Sequence, residues 1–287
     1  MKVPDNKLSS IKRFFLLELE PIVGEEAKSF FSFLCEAWLG LSRSDLILNP
    51  DMEISESEIL KFLYGIKDLK KNRPVQYVGG KTWFYGLEIG VEEGVLIPRP
   101  ETEELVDWIV KTESNKDAKR IVDIGTGSGC IPLAIKSKLI NAEVIGLDVS
   151  NKALKIAKHN ANSLSIDVRF QKFDALNWQD FNFENKFDII VSNPPYIPEV
   201  DKERMHSNVL DYEPDLALFV PNESPLLFYE AIADFAKENL EKGGAVYFEI
   251  HEDFGLEVVK MLNRKGFDPL ILCDLQAKER MVRATLK

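Results

Sequence analysis

Cysteine is scarce in this chain. The three present, Cys35, Cys130 and Cys273, are far apart and odd in number. They form neither a disulfide framework nor a zinc-ligand spacing, so a reducing cytoplasm is the expected compartment and no metal site is expected. Long apolar runs are missing as well; no stretch approaches the ~18 residues that span a bilayer. The opening segment MKVPDNKLSSIKRFF lacks the apolar stretch and small-residue cleavage site of a secretory signal. Positive charge is in deficit: 36 Lys+Arg face 47 Asp+Glu, a net of -11. That argues against a bulk electrostatic grip on nucleic acid, though not against a local basic patch. There is no G-x-x-x-x-G-K-[ST] phosphate loop, no internal repeat and no low-complexity tract. What is present is 287 residues, 45% of them hydrophobic, enough for a sizeable core in one large domain or two smaller ones.

The chain changes style along its length. Residues 1–72 read as three or four short helices. Ser10–Glu20 carries apolar residues at helical spacing and is expected to end at Pro21. Glu25–Leu39 follows with Gly40 as its cap, and Ser55–Lys71 forms another helix. Their Phe and Leu stripes read as core packing. Residues 73–97 are rich in Gly, aromatic and β-branched residues, a β-hairpin linker with turns expected at Gly79-Gly80 and Glu93-Gly94. Pro98 and Pro100 block a helix that then begins at Glu101 or Thr102. Residues 98–287 alternate strand and helix, ending in two consecutive strands. The pattern predicts an α/β fold: a mostly parallel sheet with helices on both faces and room for one antiparallel insertion.

Two motifs carry chemistry. Asp123-Ile-Gly125-Thr126-Gly127-Ser128-Gly129 follows the first strand of this sheet, where glycines let the backbone turn and approach a ligand. Cys130 stands where a dinucleotide fingerprint wants Gly or Ala, so NAD and FAD fit poorly. Asp148 ends the second strand and can accept from both ribose hydroxyls. Asp174 follows the third and can accept from an adenine amino group. Carboxylates repel a pyrophosphate but suit a cationic nucleoside without phosphates, and S-adenosylmethionine (SAM) meets that description.

Asn193-Pro194-Pro195-Tyr196 follows the fourth strand. Two prolines stiffen the loop and leave it carbonyl acceptors in place of N–H donors. The Asn193 amide oxygen and the Pro194 carbonyl can accept both N–H bonds of one –NH2 group, and Tyr196 offers an aromatic face to a planar amide or base. Those bonds strengthen as the nitrogen pyramidalises, which is what catalysis requires.

Together these segments closely resemble the bacterial glutamine N5-methyltransferases that modify peptide-chain release factors. The resemblance covers nearly the whole chain. It includes Gln76-Tyr77, Phe84-Tyr85-Gly86, Leu96-Ile-Pro-Arg-Pro-Glu-Thr-Glu103, Asp123 to Cys130, Asp148, Asn193 to Pro198, Tyr212-Glu-Pro214 and Phe248-Glu249-Ile250. It implies a class I, Rossmann-like, SAM-dependent methyltransferase sheet behind a helical domain that helps hold the release factor. The target it implies is the glutamine of a Gly-Gly-Gln loop, and the family acts as a monomer. By the same resemblance Gly125, Thr126, Gly127, Ser128, Gly129, Asp148, Asp174 and Asn193 line the cofactor site. Ala175 stands where some relatives place an aromatic residue against adenine. Asn193, Pro194 and Tyr196 are the catalytic set, and with Pro195, Arg99 and Glu101 they bind the substrate. Arg99, Glu101 and Thr102 are expected to shape the pocket from the linker side, and read equally well as an ion pair and a helix cap. His251 replaces a frequent glycine and reads as local variation.

Two other functions compete. A DNA or RNA amino-methyltransferase uses the same tetrapeptide on a flipped base, but needs a basic recognition region. Residues 1–73 are close to charge balance, so no stable nucleic-acid binding is expected. A non-catalytic SAM-binding scaffold has no need of an amide clamp. The reaction itself demands positioning: a conjugated amide is a poor nucleophile and must be held about 3–3.5 Å from the methyl carbon.

Overall fold

The computed structural model describes residues 5–113 and 119–286, so the extreme N-terminal reading lies partly outside the described residues. Five helices come first: α1 (Leu8–Val23), α2 (Glu26–Leu39), α3 (Arg43–Leu48), α4 (Glu56–Leu69) and α5 (Val75–Gly79). A hairpin of β1 (Lys81–Phe84) and β2 (Leu87–Gly90) follows, then α6 (Pro100–Glu113). The order then runs β3 (Arg120–Ile124), α7 (Cys130–Lys138), β4 (Glu143–Asp148), α8 (Asn151–Leu164), β5 (Arg169–Lys172), a 3₁₀ turn (Ala175–Asp180) and β6 (Phe187–Ser192). Short pieces β7 (Ile197–Pro198), α9 (Ser207–Leu210), α10 (Asp215–Leu218) and β8 (Phe219–Val220) lead to α11 (Leu227–Asn239) and β9 (Leu240–Glu249). The chain closes with α12 (Gly255–Arg264), β10 (Phe267–Cys273) and β11 (Glu279–Leu286). Two compact units result, residues 1–82 with 206–212, and residues 83–205 with 213–287.

In the first unit the apolar stripes are core. Phe15, Phe31 and Phe62 are fully buried, with Phe15 edge-on to Phe31 at 5.4 Å and Trp38 edge-on to Phe62 at 5.1 Å. Pro21 does not end α1 as the sequence suggests. In the last turn it forfeits only the bond to the Leu17 carbonyl, and the helix runs on until Gly24, whose N–H donates to the Glu20 carbonyl. The sequence reading passes over α3, which is started by a capping box. There Ser42 Oγ accepts from the Asp45 N–H, while the Asp45 carboxylate accepts from the Ser42 N–H.

The two expected turns flank the hairpin: Gly79 ends α5 with Gly80 as its cap, and Glu93-Gly94 turns after β2. The strands themselves reverse at Tyr85-Gly86 with φ of 50° and 79°. Both positive values suit a two-residue turn that follows strand twist. Tyr85 is held there by its N–H donating to Glu103 and its hydroxyl donating to Asp107. Helix α6 starts at Pro100 itself, where a missing N–H loses nothing.

The second unit is built on a seven-stranded sheet in the order β10-β11-β9-β6-β3-β4-β5. Strands β9, β6, β3, β4 and β5 are parallel, and β11 lies antiparallel between β9 and β10, the expected insertion. Residues Ile121 to Ile124 of β3 are all buried, as a central strand covered on both faces requires. Val122 and Ile124 share one core with Phe187, Ile190, Phe235 and Phe248. Chain order reverses at β3, which has β4 on one side and β6 on the other. Such a switch point opens a crevice at the carboxyl ends of the strands.

Asn160, buried on α8, ties the hairpin to this edge. Its Oδ1 accepts from the Gly90 N–H, and its Nδ2 donates to the carbonyls of Gly90 and Ser128. Replacing it orphans those groups. Asn160→Ala is therefore expected to lower unfolding free energy by about 1–3 kcal/mol; an unchanged urea midpoint contradicts the bridge.

Candidate active site

The glycine loop leaves β3 by bonding to its neighbour. The N–H groups of Gly125 and Thr126 donate to the Leu147 carbonyl at 2.8 and 2.9 Å. Gly127 has φ of 55°, a conformation that an L side chain rarely adopts, and its N–H donates to Asp148 Oδ2 at 2.8 Å. Asp148 Oδ1 accepts from the Ser150 N–H at 2.8 Å. Burial raises the Asp148 pKa, and these backbone donors oppose the rise. Each oxygen keeps a further lone pair for a ligand hydroxyl.

Asp174 caps the 3₁₀ turn, with Oδ1 accepting from the Leu176 N–H and Oδ2 from Asn177 Nδ2. Ser192, the last residue of β6, donates its hydroxyl to the Ile124 carbonyl at 2.6 Å, pinning the start of the Asn-Pro-Pro-Tyr loop to the end of β3.

A cavity of about 260 Å³ opens at this edge. Of the residues singled out from sequence, Gly125, Gly127, Asp148, Asp174, Ala175, Asn193, Pro194 and Pro195 lie on its wall. Thr126, Ser128 and Gly129 do not; Thr126 and Ser128 are buried within the loop. Tyr196, Arg99 and Glu101 are also off the wall. Arg99 Nη2 is paired with Glu213 Oε1 at 2.6 Å, and Glu213 Oε2 accepts from the Ile97 N–H at 3.1 Å. This half-buried pair joins the segment before α6 to the segment that carries Pro214 and Ala217, and both segments supply cavity wall. Glu101 sits half-buried in the first turn of α6.

Two residues outside the sequence-derived site, Glu213 and Glu249, shape it together with Thr102. Thr102 and Glu249 are both buried: the Thr102 hydroxyl donates to Glu249 Oε2 at 2.6 Å, and Asn193 Nδ2 donates to Thr102 Oγ1 at 3.2 Å. The Tyr196 hydroxyl donates to Glu249 Oε1 at 3.0 Å. Burial pushes the Glu249 carboxyl up from its ordinary value, and the two hydroxyls that donate to it oppose the rise. The Tyr196 phenol is held well above its ordinary value, by burial first and then by the Glu249 charge. The signal available for Glu249 was a lone acidic residue closing an apolar strand.

A family model described as a methyltransferase domain matches residues 115–266, and one described as the PrmC N-terminal domain matches residues 16–80. A release factor glutamine methyltransferase of Flavobacterium psychrophilum is 43% identical over 95% of this chain and 97% of its own length. One of Bacteroides thetaiotaomicron is 40% identical over 97% of this chain and 99% of its own. Among solved structures, a methyltransferase from Pyrococcus furiosus aligns with a TM-score of 0.51 at 17% identity, covering 80% of this chain and 98% of its own. A 16S rRNA N2 G1207 methyltransferase of Thermus thermophilus, solved with AdoMet and guanosine, also aligns at 0.51 and 17%, covering 72% and 50%. At such identity the two structures speak for the fold alone.

The residues fit SAM. Asp148, on the wall, keeps lone pairs on both oxygens for ligand hydroxyls, and both oxygens of buried Asp123, just before the loop, have no hydrogen-bond partner among the described residues. The cavity wall sets Asp148 and Asp174 against one cation, Lys152, a balance that suits a nucleoside without phosphates.

Burial raises the Asp123 pKa from 3.8 to about 7. The folded chain then holds this proton at pH values where the unfolded chain has released it. Asp123 thus subtracts stability progressively as pH rises from about 4 to about 7, by on the order of a few kcal/mol in all. For ligand-free protein, the stability of Asp123→Asn relative to wild type should grow between pH 5 and pH 8 in urea unfolding. A pH-independent difference would contradict an unpartnered buried carboxyl.

Proposed function

This chain belongs to the release factor glutamine methyltransferase family, and from that premise we propose that it moves a methyl group from SAM to a release factor. The acceptor is the side-chain amide nitrogen (N5) of the glutamine in the Gly-Gly-Gln loop. The observation that carries the site assignment is the meeting of two strand-end loops at one cavity, Gly125 and Gly127 after β3, Asn193 and Pro194 after β6. Bound SAM supplies an electrophilic methyl on a positively charged sulfur.

The protein's own residues do the rest. Gly125 to Gly129, Asp148, Asp174 and Ala175 form the cofactor's bed, with Asp148 accepting from ribose hydroxyls. Asn193 Oδ1 and the Pro194 carbonyl accept the two N–H bonds of the glutamine amide, which turns its nitrogen toward the methyl. Asn193 is suited to this because its Nδ2 already donates to Thr102. Pro195 stiffens the loop, and Tyr196 packs beside the amide with its hydroxyl anchored on Glu249. Arg99 acts from the segment leading into α6, through Glu213, and Glu101 from the first turn of α6. No side chain removes a proton before attack; the product nitrogen releases one afterwards.

Residues 1–72 recognise the release factor, 73–97 link, and 98–287 catalyse. Among the described residues no helix is long and apolar enough to cross a membrane. We read the enzyme as a cytoplasmic monomer without stable nucleic-acid binding, a reading that the charge deficit supports.

The test is incubation with labelled SAM and, separately, release factor, its loop Gln→Ala variant, DNA and RNA. Label on wild-type release factor alone is expected; label on DNA sinks the reading. Asn193→Ala should slow single-turnover transfer by about 100-fold or more while calorimetric SAM affinity holds. An unchanged rate removes Asn193 from the mechanism.

A further inference from the structure

Behind the cavity wall lies a directional chain of hydrogen bonds. Glu249 ends β9, the strand beside β6, and is 1% exposed. It receives the Thr102 hydroxyl on Oε2 and the Tyr196 hydroxyl on Oε1. A carboxylate only accepts, so the Thr102 proton points to Glu249 and the lone pairs of Oγ1 face away from it. Asn193 meets those lone pairs, at 3.2 Å, with the –NH2 end of its amide. The reversed amide would set Oδ1 against Oγ1, oxygen against oxygen with no proton between them. It would also turn the –NH2 end to the cavity, where it repels the N–H bonds of an incoming amide.

We propose that Thr102 and Glu249 are positioning residues: through one buried carboxylate they fix which end of the Asn193 amide faces the cavity and where the Tyr196 ring stands. The inference deepens the reading of Asn193 as an acceptor for the glutamine amide and rests on it. Neither residue touches the reacting atoms. Thr102 lies in the first turn of α6 and Glu249 at the end of β9, 147 positions apart, so two elements of the second unit converge on one side chain of the loop. Catalysis by such a loop depends on its geometry more than on the presence of the amide, because a free side-chain amide samples both orientations.

Two substitutions separate positioning from packing. Thr102→Val keeps the branched shape and removes the hydroxyl; Thr102→Ser keeps the hydroxyl. The Val variant should lower kcat about 10–100-fold with KM for release factor and calorimetric SAM affinity near wild type, and the Ser variant should recover to within about threefold of wild-type kcat. A Val variant with wild-type kcat, or a Ser variant as slow as Val, overturns the inference. A second readout needs no turnover. The side-chain ¹⁵N–¹H resonances of Asn193 should move in Thr102→Val and stay near their wild-type positions in Thr102→Ser; unmoved resonances in the Val variant overturn it. If the wild-type enzyme leaves release factor unlabelled, the proposed reaction falls, and the resonances still decide whether Thr102 sets the amide.

Discussion

The parallel pairing of β3 with β6 is the constraint on which the rest of this site depends. Ile121 faces Ile189, Val122 faces Ile190 and Asp123 faces Val191, and the Ser192 hydroxyl then locks onto the Ile124 carbonyl. Both strands are buried on both sides, so a one-residue slip would reverse every side chain of a packed core. The register is therefore fixed, and with it the separation of the loops that follow. Because β3 is also where chain order reverses, the loop after it and the loop after β6 are left with a crevice between them. Donor and acceptor sites in a transfer reaction must lie side by side, and the sheet sets the two loops side by side on one cavity.

Around this edge three buried carboxyl groups meet three different fates. Glu213 is paired with Arg99 and also takes a backbone N–H, so its charge is satisfied and serves to hold two wall segments together. Glu249 is satisfied by two hydroxyls and orders the Asn-Pro-Pro-Tyr loop. Asp123 has no partner among the described residues, and burial lifts its pKa to about 7. A buried charge is costly unless paired. The two paired groups hold the architecture, and the unpaired one sits beside the loop assigned to a cationic cofactor.

Much of this was legible in the sequence. The buried strands, the glycine loop and the stiff tetrapeptide each carry a local signature, and strand–helix alternation is enough to put their ends on one edge. Pro21 was misread because a proline signals a helix end only when more than one backbone bond is at stake. Gly79-Gly80 and Glu93-Gly94 are legible as the turns that flank the hairpin, whereas its own reversal at Tyr85-Gly86 is not, because Tyr85 is held at positive φ by Glu103 and Asp107. Thr102 is legible as part of the segment that shapes the pocket, but what it bonds to is not, and the roles of Glu213 and Glu249 are hidden for the same reason. Each works through partners distant in the chain: Glu213 through Arg99, 114 positions away, and Glu249 through Thr102 at 147 and Tyr196 at 53. Periodicity and local motifs carry no trace of such pairings.

The account stands or falls on which atom receives the methyl group. Tandem mass spectrometry of release factor after reaction with SAM locates it directly. The account predicts one added methyl on the side-chain nitrogen of the loop glutamine, with the flanking glycines unmodified. A methyl on a backbone atom, on a carboxylate or on another residue would contradict it.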